Sequence, residues 1–139
     1  MGSEKTSGAG TPADPWTLTT PPGASEYTAY RDPDADPPAL VVQVGTTRLS
    51  YHLRAIDDLH AMLRESGDWV PLGSADEGKP AAEGTIEAWA RDPANAVGGW
   101  HGLKKGLRGR FANYVPPVLE QLGLAEVEHN PRNNRMRAI

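Results

Sequence analysis

The stretch that decides the fold is Leu119-Glu-Gln-Leu-Gly-Leu-Ala-Glu-Val-Glu-His-Asn-Pro-Arg-Asn-Asn-Arg-Met-Arg-Ala-Ile139. Leucines on both sides of Gly123 are typical of a short helix that ends at a glycine. Two runs of alternating apolar and polar residues follow, and the segment between them is polar. The sequence therefore predicts a β-hairpin with Val127 and Met136 facing inward. Its arginines are expected to face outward: Arg132, Arg135 and Arg137.

A second basic group precedes this helix. Residues 100–113 carry apolar side chains at helical spacing, which predicts a longer helix there. Its apolar side is formed by Leu103, Leu107, Phe111 and Tyr114. Pro116 and Pro117 fit only the first turn of a new helix, which is expected to continue through residues 118–122. The cations of the longer helix are Lys104, Lys105, Arg108 and Arg110.

The sequence of the first half of the chain predicts a small antiparallel sheet with one helix. The β-prone runs cover residues 16–20, 26–31, 40–44 and 47–53. A tight turn at Gly45 and Thr46 makes the last two a hairpin. Residues 55–65 have apolar positions at helical spacing and are closed by Gly67, so they predict an amphipathic helix.

The remaining segments set the expected boundaries. Residues 1–14 are small and polar and predict a disordered tail. Residues 68–72 are apolar and suggest a connector, and residues 73–84 form a polar loop. Thr85 can cap a short helix over residues 86–91.

Together these patterns predict the α+β class, with a small antiparallel sheet and one helix over residues 15–72. A helical segment that ends in the hairpin covers residues 85–139, and both parts are expected to pack as one domain.

The charges are unevenly distributed along the chain. Its 139 residues contain 14 lysines and arginines and 18 carboxylates, a net charge of −4. From Trp100 onward, seven cations against three carboxylates give +4, which leaves −8 for the residues before it. Such asymmetry indicates a polyanionic partner for the basic part, and it fits equally well with neutralisation between the two parts. Both explanations stay open at the level of sequence.

Composition excludes several classes of chemistry. The chain has no cysteine, so disulfides, thiolate zinc sites and a cysteine nucleophile are excluded, and a reducing cytoplasm is the expected location. No apolar run approaches the ~20 residues that span a bilayer, so no membrane association is expected. No nucleophile elbow surrounds a serine, and the glycines near Trp100 lack the Walker pattern. We therefore expect neither an enzyme nor a bound cofactor.

Two other groups of residues have a functional and a structural interpretation. His52, Asp57 and His60 could form a metal site or a base with its carboxylate, but their spacing matches no zinc pattern, which favours a helix-end aspartate and a solvated histidine. Three tryptophans could form a ligand cage, although core packing is the more common role. They are Trp69, Trp89 and Trp100.

Residues 119–139 resemble the end of a winged helix-turn-helix of the MarR or GntR kind. In those families a helix ends in a Leu…Gly-Leu step, a strand leaves it, and a basic strand returns after a polar loop. The resemblance implies a hairpin tip that rests on phosphates or enters a minor groove. The whole chain also resembles an uncharacterised actinobacterial family of unknown function.

The resemblance implies a particular mode of binding. The helix before the hairpin is shortened by Pro116 and Pro117 and offers only Glu120 and Gln121 for base reading, so DNA or RNA would be held mainly through phosphates. His129 and Asn130 are expected to add hydrogen bonds. The expected contacts are Lys104, Lys105, Arg108, Arg110, Arg132, Arg135 and Arg137. The alternative that stays open is a protein-interaction or structural module.

Overall fold

A four-stranded antiparallel sheet forms the first half of the protein, as described by a computed structural model that covers residues 8–139. Its strands lie in chain order, from β1 at one edge to β4 at the other. Buried and exposed side chains alternate along β1, because one face of the sheet packs on the core. The strands are β1 (Trp16–Thr19), β2 (Glu26–Asp32), β3 (Ala39–Val44) and β4 (Thr47–His52).

Helix α1 (Ala55–Ser66) follows this sheet and confirms the amphipathic helix predicted there. It buries Ile56, Leu59 and Leu63, which recur at helical spacing. Gly67 ends it with a φ of 69°, a conformation that glycine adopts without a steric penalty. Among the described residues, no helix has the length and apolar character needed to cross a membrane.

A second, three-stranded antiparallel sheet contains the predicted hairpin, with strand order β5-β7-β6. Its strands are β5 (Val70–Pro71), β6 (Ala125–Val127) and β7 (Arg135–Ala138). The segment expected to be a connector is thus partly a strand, in which Val70 pairs with Met136. Three short helices lie between β5 and β6, namely α2 (Ile86–Trp89), α3 (Phe111–Tyr114) and α4 (Pro116–Gln121).

One hydrophobic cluster contains residues of both sheets and of the helices. Leu40 of β3, Leu59 of α1, Ile86 of α2, Leu119 of α4 and Met136 of β7 belong to it, and each is fully buried. The inward positions predicted for the hairpin are confirmed, since Val127 is also buried. Burial of these side chains from distant parts of the chain provides the main apolar stabilisation.

The predicted helix over residues 100–113 is wrong. Only Phe111–Tyr114 is helical, and the preceding residues form turns. Gly106 and Gly109 have φ values of 87° and 60°, which a right-handed helix cannot contain. We call residues 102–110 the basic loop.

The edge of β4 holds the start of this loop in place. The N–H of His52 donates to the carbonyl of His101, and the N–H of Leu103 donates to the carbonyl of Ser50. The Tyr51 hydroxyl donates to the carbonyl of Arg108 at 2.6 Å. The loop thus satisfies main-chain groups that an exposed edge strand would leave unpaired.

The predicted disordered tail lies partly outside the described residues, which begin at Gly8. Residues 8–14 form a hydrogen-bonded turn instead of a tail, in which the N–H groups of Gly10 and Thr11 donate to the carbonyl of Asp14. The carbonyl of Gly10 accepts from the N–H of Arg31 in β2. A Cβ on Gly10 would lie 2.3 Å from the Trp16 ring, so only glycine allows this approach.

Candidate anion-binding surface

The seven cations singled out from the sequence fall into two groups in the structure. Lys104, Lys105 and Arg132 are exposed, and within residues 8–139 they make no ion pair and no side-chain hydrogen bond. The other four each pair with a carboxylate, and they are Arg108, Arg110, Arg135 and Arg137. Free cations suit a phosphate ligand, because a paired cation must first give up its partner.

Glu77 sets the conformation of the basic loop. Its carboxylate accepts from the N–H of Gly106 at 2.7 Å and from the N–H of Arg108 at 2.8 Å. Loss of hydration opposes the charge, but these two hydrogen bonds and the Arg108 guanidinium prevail and lower the pKa of Glu77. The carboxylate is therefore charged at neutral pH and holds the loop closed.

Glu87 anchors the end of the loop from the interior. Only 1% of its surface is exposed, and it accepts from the N–H groups of Phe111 and Ala112, the first residues of α3. It also pairs with Arg91 at 3.3 Å. Burial is the largest influence and raises the pKa of Glu87, although the hydrogen bonds and Arg91 act in the opposite direction. The sequence did not predict this role, because nothing in the neighbourhood of Glu87 marks it as buried.

Arg110 is paired through only one of its nitrogens. Its Nε donates to Asp76 Oδ1 at 2.6 Å, and this hydrogen bond lowers the pKa of Asp76 and raises the pKa of Arg110. Its terminal N–H groups have no partner among the described residues. A guanidinium has five N–H donors, so Arg110 retains four for a ligand.

A cleft of about 490 Å³ brings Arg110 and Arg132 together. We call it the Arg110–Arg132 cleft. Four segments form its walls: the end of the basic loop with α3, the turn between β1 and β2, residues 72–74 after β5, and the hairpin tip. Its polar lining residues are Thr20, Ser25, Ser74, Arg110, Asn113, Tyr114, Arg132, Asn133 and Asn134. No carboxylate lines it, although Asp76 pairs with Arg110 beside it.

Asn134 fixes the hairpin tip that carries Arg132. Its side-chain oxygen accepts from the N–H of Asn130 at 2.6 Å, and its amide donates to the carbonyl of Asn130 at 2.9 Å. Asn133 has a φ of 60°, a conformation that asparagine tolerates better than most residues. The carbonyl of Asn134 also accepts from the N–H of Leu72, which ties the tip to β5.

His129 fixes the opposite wall of the cleft. Its Nδ1 lies 3.0 Å from the carbonyl of Pro21, and its Nε2 lies 2.6 Å from Glu120. Both partners can only accept, so both hydrogen bonds form only when the imidazole is protonated on each nitrogen. Burial opposes this charge, but the bonds to Glu120 and Pro21 prevail and raise the pKa of His129. Both ring nitrogens of His129 therefore bond to groups of the protein itself, and not to a ligand.

Arg135 and Arg137 lie elsewhere, on the outer face of the three-stranded sheet. They sit over Trp69, with guanidinium carbons 5.0 Å and 4.4 Å from the ring centroid. Glu126 of the neighbouring strand β6 is directly opposite Arg137 in register, and Glu128, just after β6, pairs with Arg135. The Glu128 pair is 2.7 Å long, and the hydrogen bond from Arg135 lowers the pKa of Glu128. Neither arginine lines the cleft.

His52, Asp57 and His60 do not form a metal site. Within residues 8–139 no group of three or more histidine, aspartate or glutamate side chains could hold a metal ion. Asp58, rather than Asp57, contacts a histidine, with its Oδ2 3.2 Å from Nε2 of the fully buried His101. This contact joins α1 to the segment before the basic loop, a link between residues too distant in sequence to predict.

The three tryptophans form no common cage, and of the three only Trp89 packs against the hydrophobic core. Trp69, Trp89 and Trp100 are all partly exposed. Trp100 lies between Arg91 and Arg108, whose guanidinium carbons are 4.3 Å and 4.6 Å from its centroid. The prediction of core packing is therefore wrong for Trp69 and Trp100, whose rings stack with arginines at the surface.

The comparisons with known proteins identify a family. No curated protein and no solved structure matches this chain. One family model matches residues 8–139, which is nearly the whole chain, and its description is a family of unknown function (DUF6855). The protein therefore belongs to the family of unknown function DUF6855.

Proposed function

We propose that this protein is a non-enzymatic, nucleic-acid-associated module that contacts mainly the phosphate backbone. The observation that carries the proposal is that Arg110 and Arg132, one from each basic group, line a single cleft without a carboxylate. Affinity for a polyanion comes mainly from cations that neutralise phosphates and release counterions. Arg132 is unpaired, and Arg110 keeps its terminal N–H groups free although its Nε pairs with Asp76, so both can contact phosphate.

The free lysines extend this surface beyond the cleft. Lys104 and Lys105 directly precede Gly106, which lines a neighbouring cavity of about 360 Å³. That cavity shares Arg110, Asn113 and Tyr114 with the Arg110–Arg132 cleft. The proposed interface therefore runs from the basic loop to the hairpin tip and contains Lys104, Lys105, Arg110 and Arg132.

The order of elements supports a winged-helix arrangement in the second half. Helix α1 is followed by β5, by α2, by the α3–α4 unit and by the hairpin of β6 and β7, and β5 joins the hairpin as a third strand. In this arrangement α3–α4 stands in the place of the recognition helix, and the hairpin is the wing. The cleft lies between the two.

The α3–α4 unit is poorly placed for reading bases, which favours phosphate contact. All five residues from Val115 to Leu119 are buried. The four-stranded sheet approaches this unit, since the Tyr27 hydroxyl donates to the carbonyl of Tyr114 at 2.8 Å. Base readout needs side chains that enter a groove, whereas phosphate contact needs only exposed cations.

Fluorescence anisotropy across a range of salt concentrations tests the proposal, with duplex and single-stranded oligonucleotides. The variant Lys104→Ala/Lys105→Ala/Arg132→Ala is expected to bind more weakly and to reduce the salt slope by about 0.7–0.9 for each phosphate that it no longer neutralises. The matched control is Arg64→Ala, which removes an exposed cation from α1. Arg135→Ala/Arg137→Ala is expected to behave like this control. Absence of binding at about 50 mM salt contradicts the proposal.

An apolar groove favours a protein-interaction module as the second candidate. The groove measures about 660 Å³, and Met62, Trp69, Val70 and Trp89 line it, with Glu83 and Asp92 at the same site. These carboxylates suit a partner with an apolar side chain next to a lysine or arginine. The variant Ala88→Arg would block the groove. The probe is a synthetic peptide that has an apolar side chain next to a lysine or arginine. Binding to the wild type but not to Ala88→Arg supports the protein-interaction function, and equal binding to both proteins contradicts it.

A further inference from the structure

We propose that the Arg110–Arg132 cleft binds a phosphomonoester, the terminal phosphate of a nucleotide or of a nucleic-acid end. This inference rests on the proposed function and narrows it from general phosphate contact to recognition of one chemical group. Three properties of the cleft carry it: its shape, its pair of guanidinium groups and its fixed walls.

The shape of the cleft favours the end of a nucleic acid over the middle of a duplex. At about 490 Å³ it lies within the range of ~300–1,000 Å³ that is typical of small-ligand sites. An internal phosphate of a duplex lies on a long convex rod and can touch only the rim of such a cleft. A terminal phosphate with its nucleoside can enter between the hairpin tip and the turn that contains Pro21 and Pro22.

The charge of the cleft matches a monoester better than a diester. A phosphomonoester carries close to two negative charges at neutral pH, whereas an internal diester carries one. Arg110 offers its unpaired terminal N–H groups, and Arg132 offers its whole guanidinium. Planar guanidinium groups bind phosphate oxygens through two parallel hydrogen bonds each. Two such groups can satisfy three terminal oxygens at once.

Further groups in the cleft are placed to contact the rest of a nucleotide. The side chains of Asn113 and Ser25, and the Tyr114 hydroxyl, have no hydrogen-bond partner among the described residues. The Tyr114 ring is oriented by an edge-to-face contact with Tyr27, at 5.1 Å between centroids. Aromatic rings of this kind stack on bases without regard to sequence.

The walls are fixed before any ligand arrives. Asn134 holds the tip that carries Arg132 through two hydrogen bonds to Asn130, and His129 holds Pro21 in the facing turn. Asp76 orients the Arg110 guanidinium through Nε alone. Binding therefore requires little ordering of the main chain around the cleft, and ordering is a main cost of association.

The test compares oligonucleotides that differ only at one end. Single strands of identical sequence are prepared with a 5′-phosphate, a 3′-phosphate or hydroxyl groups at both ends, and adenosine monophosphate and inorganic phosphate serve as small probes. We expect at least one phosphorylated strand to bind about tenfold or more tightly than the strand without a terminal phosphate. Arg132→Ala should abolish the difference, Arg132→Lys should restore part of it, and Arg64→Ala should leave it unchanged.

The outcomes separate this inference from the proposed function. If all strands bind with equal affinity, the terminal-phosphate site is wrong, while backbone contact is supported. If adenosine monophosphate binds in an Arg132-dependent manner but no strand does, the cleft is a nucleotide site and the nucleic-acid proposal fails. If the difference survives Arg132→Ala, the site lies elsewhere and the inference is overturned. Near-ultraviolet circular dichroism confirms that each variant is folded.

Discussion

The basic loop and the hairpin both carry arginines paired with carboxylates, but the partners come from different places. In the hairpin, Arg137 pairs with Glu126 directly across the strands. In the basic loop, Arg108 and Arg110 pair with Glu77 and Asp76, about thirty residues earlier. The ion pairs of the hairpin lie on the surface of a sheet that is already stabilised by burial of its apolar face. The conformation of the loop, in contrast, depends on carboxylates that are remote in sequence. Removing carboxylates should therefore affect the two regions unequally.

The largest effect is expected at Glu87, which joins α2 to the start of α3, where the basic loop ends. Glu87→Ala leaves buried N–H groups at Phe111 and Ala112 and the Arg91 guanidinium without their acceptor. We expect a loss of about 3–5 kcal/mol in the free energy of unfolding, the usual cost of breaking a buried ion pair. Urea denaturation measures this loss, with the exposed Glu83→Ala as the control. A loss below ~1 kcal/mol would show that the loop does not depend on Glu87.

The next effect is expected at Gly109, whose backbone conformation allows the loop to turn. It has a φ of 60°, and a Cβ there would lie 2.7 Å from Leu49 Cδ1. Gly109→Ala should therefore cost about 1–3 kcal/mol through backbone strain and the clash with β4. Thermal denaturation detects this, and Gly78→Ala, with nothing within 4 Å, is the matched control. Equal melting temperatures for both variants would contradict a loop set by glycine geometry.

Removing one ion pair from each region should have a smaller effect on stability. The effect on oligonucleotide binding should differ between the two regions. Asp76→Asn and Glu126→Gln each remove an exposed partner, so each should cost less than about 1 kcal/mol. Only the first removes a negative charge beside a cation of the proposed interface, so only Asp76→Asn should tighten oligonucleotide binding. Anisotropy titrations at one salt concentration decide this. A stronger gain from Glu126→Gln would move the interface to the Trp69 face.

The two regions also differ in how far their sequences predict their structures. In the hairpin, alternation places Val127 and Met136 inward, and Gly123 ends the helix before it with a φ of 72°. These are local signals, and they suffice because burial of one face fixes the register of a strand. The pairing of β5 with β7 is not predictable in this way, since a strand of two residues carries no periodicity.

In the basic loop, the local pattern is misleading. Leu103 and Leu107 repeat at helical spacing, yet Gly106 and Gly109 adopt left-handed conformations that end any helix. What holds the loop is Glu77, and its contacts cross about thirty residues of sequence. Such contacts depend on the tertiary fold, so no local window contains them. For the candidate cleft, the residue types were predictable, but their convergence from separate segments was not.

The smallest expected effect is a pH dependence of stability at the loop of the hairpin, which contains His129. The pKa of His129 in the folded protein is raised above its ordinary value of 6.5 by its bonds to Glu120 and Pro21. Such a group contributes its full stability below pH 6.5 and loses it as the pH rises through the folded pKa. Because the pair is substantially exposed, we expect only ~0.5 kcal/mol. Melting temperatures measured upward from pH 6 should therefore fall slightly more for the wild type than for His129→Ala. If the melting temperatures of the two proteins change equally with pH, the His129 hydrogen bonds add nothing to the stability of the hairpin. Burial of the apolar face of the hairpin would then account for its stability.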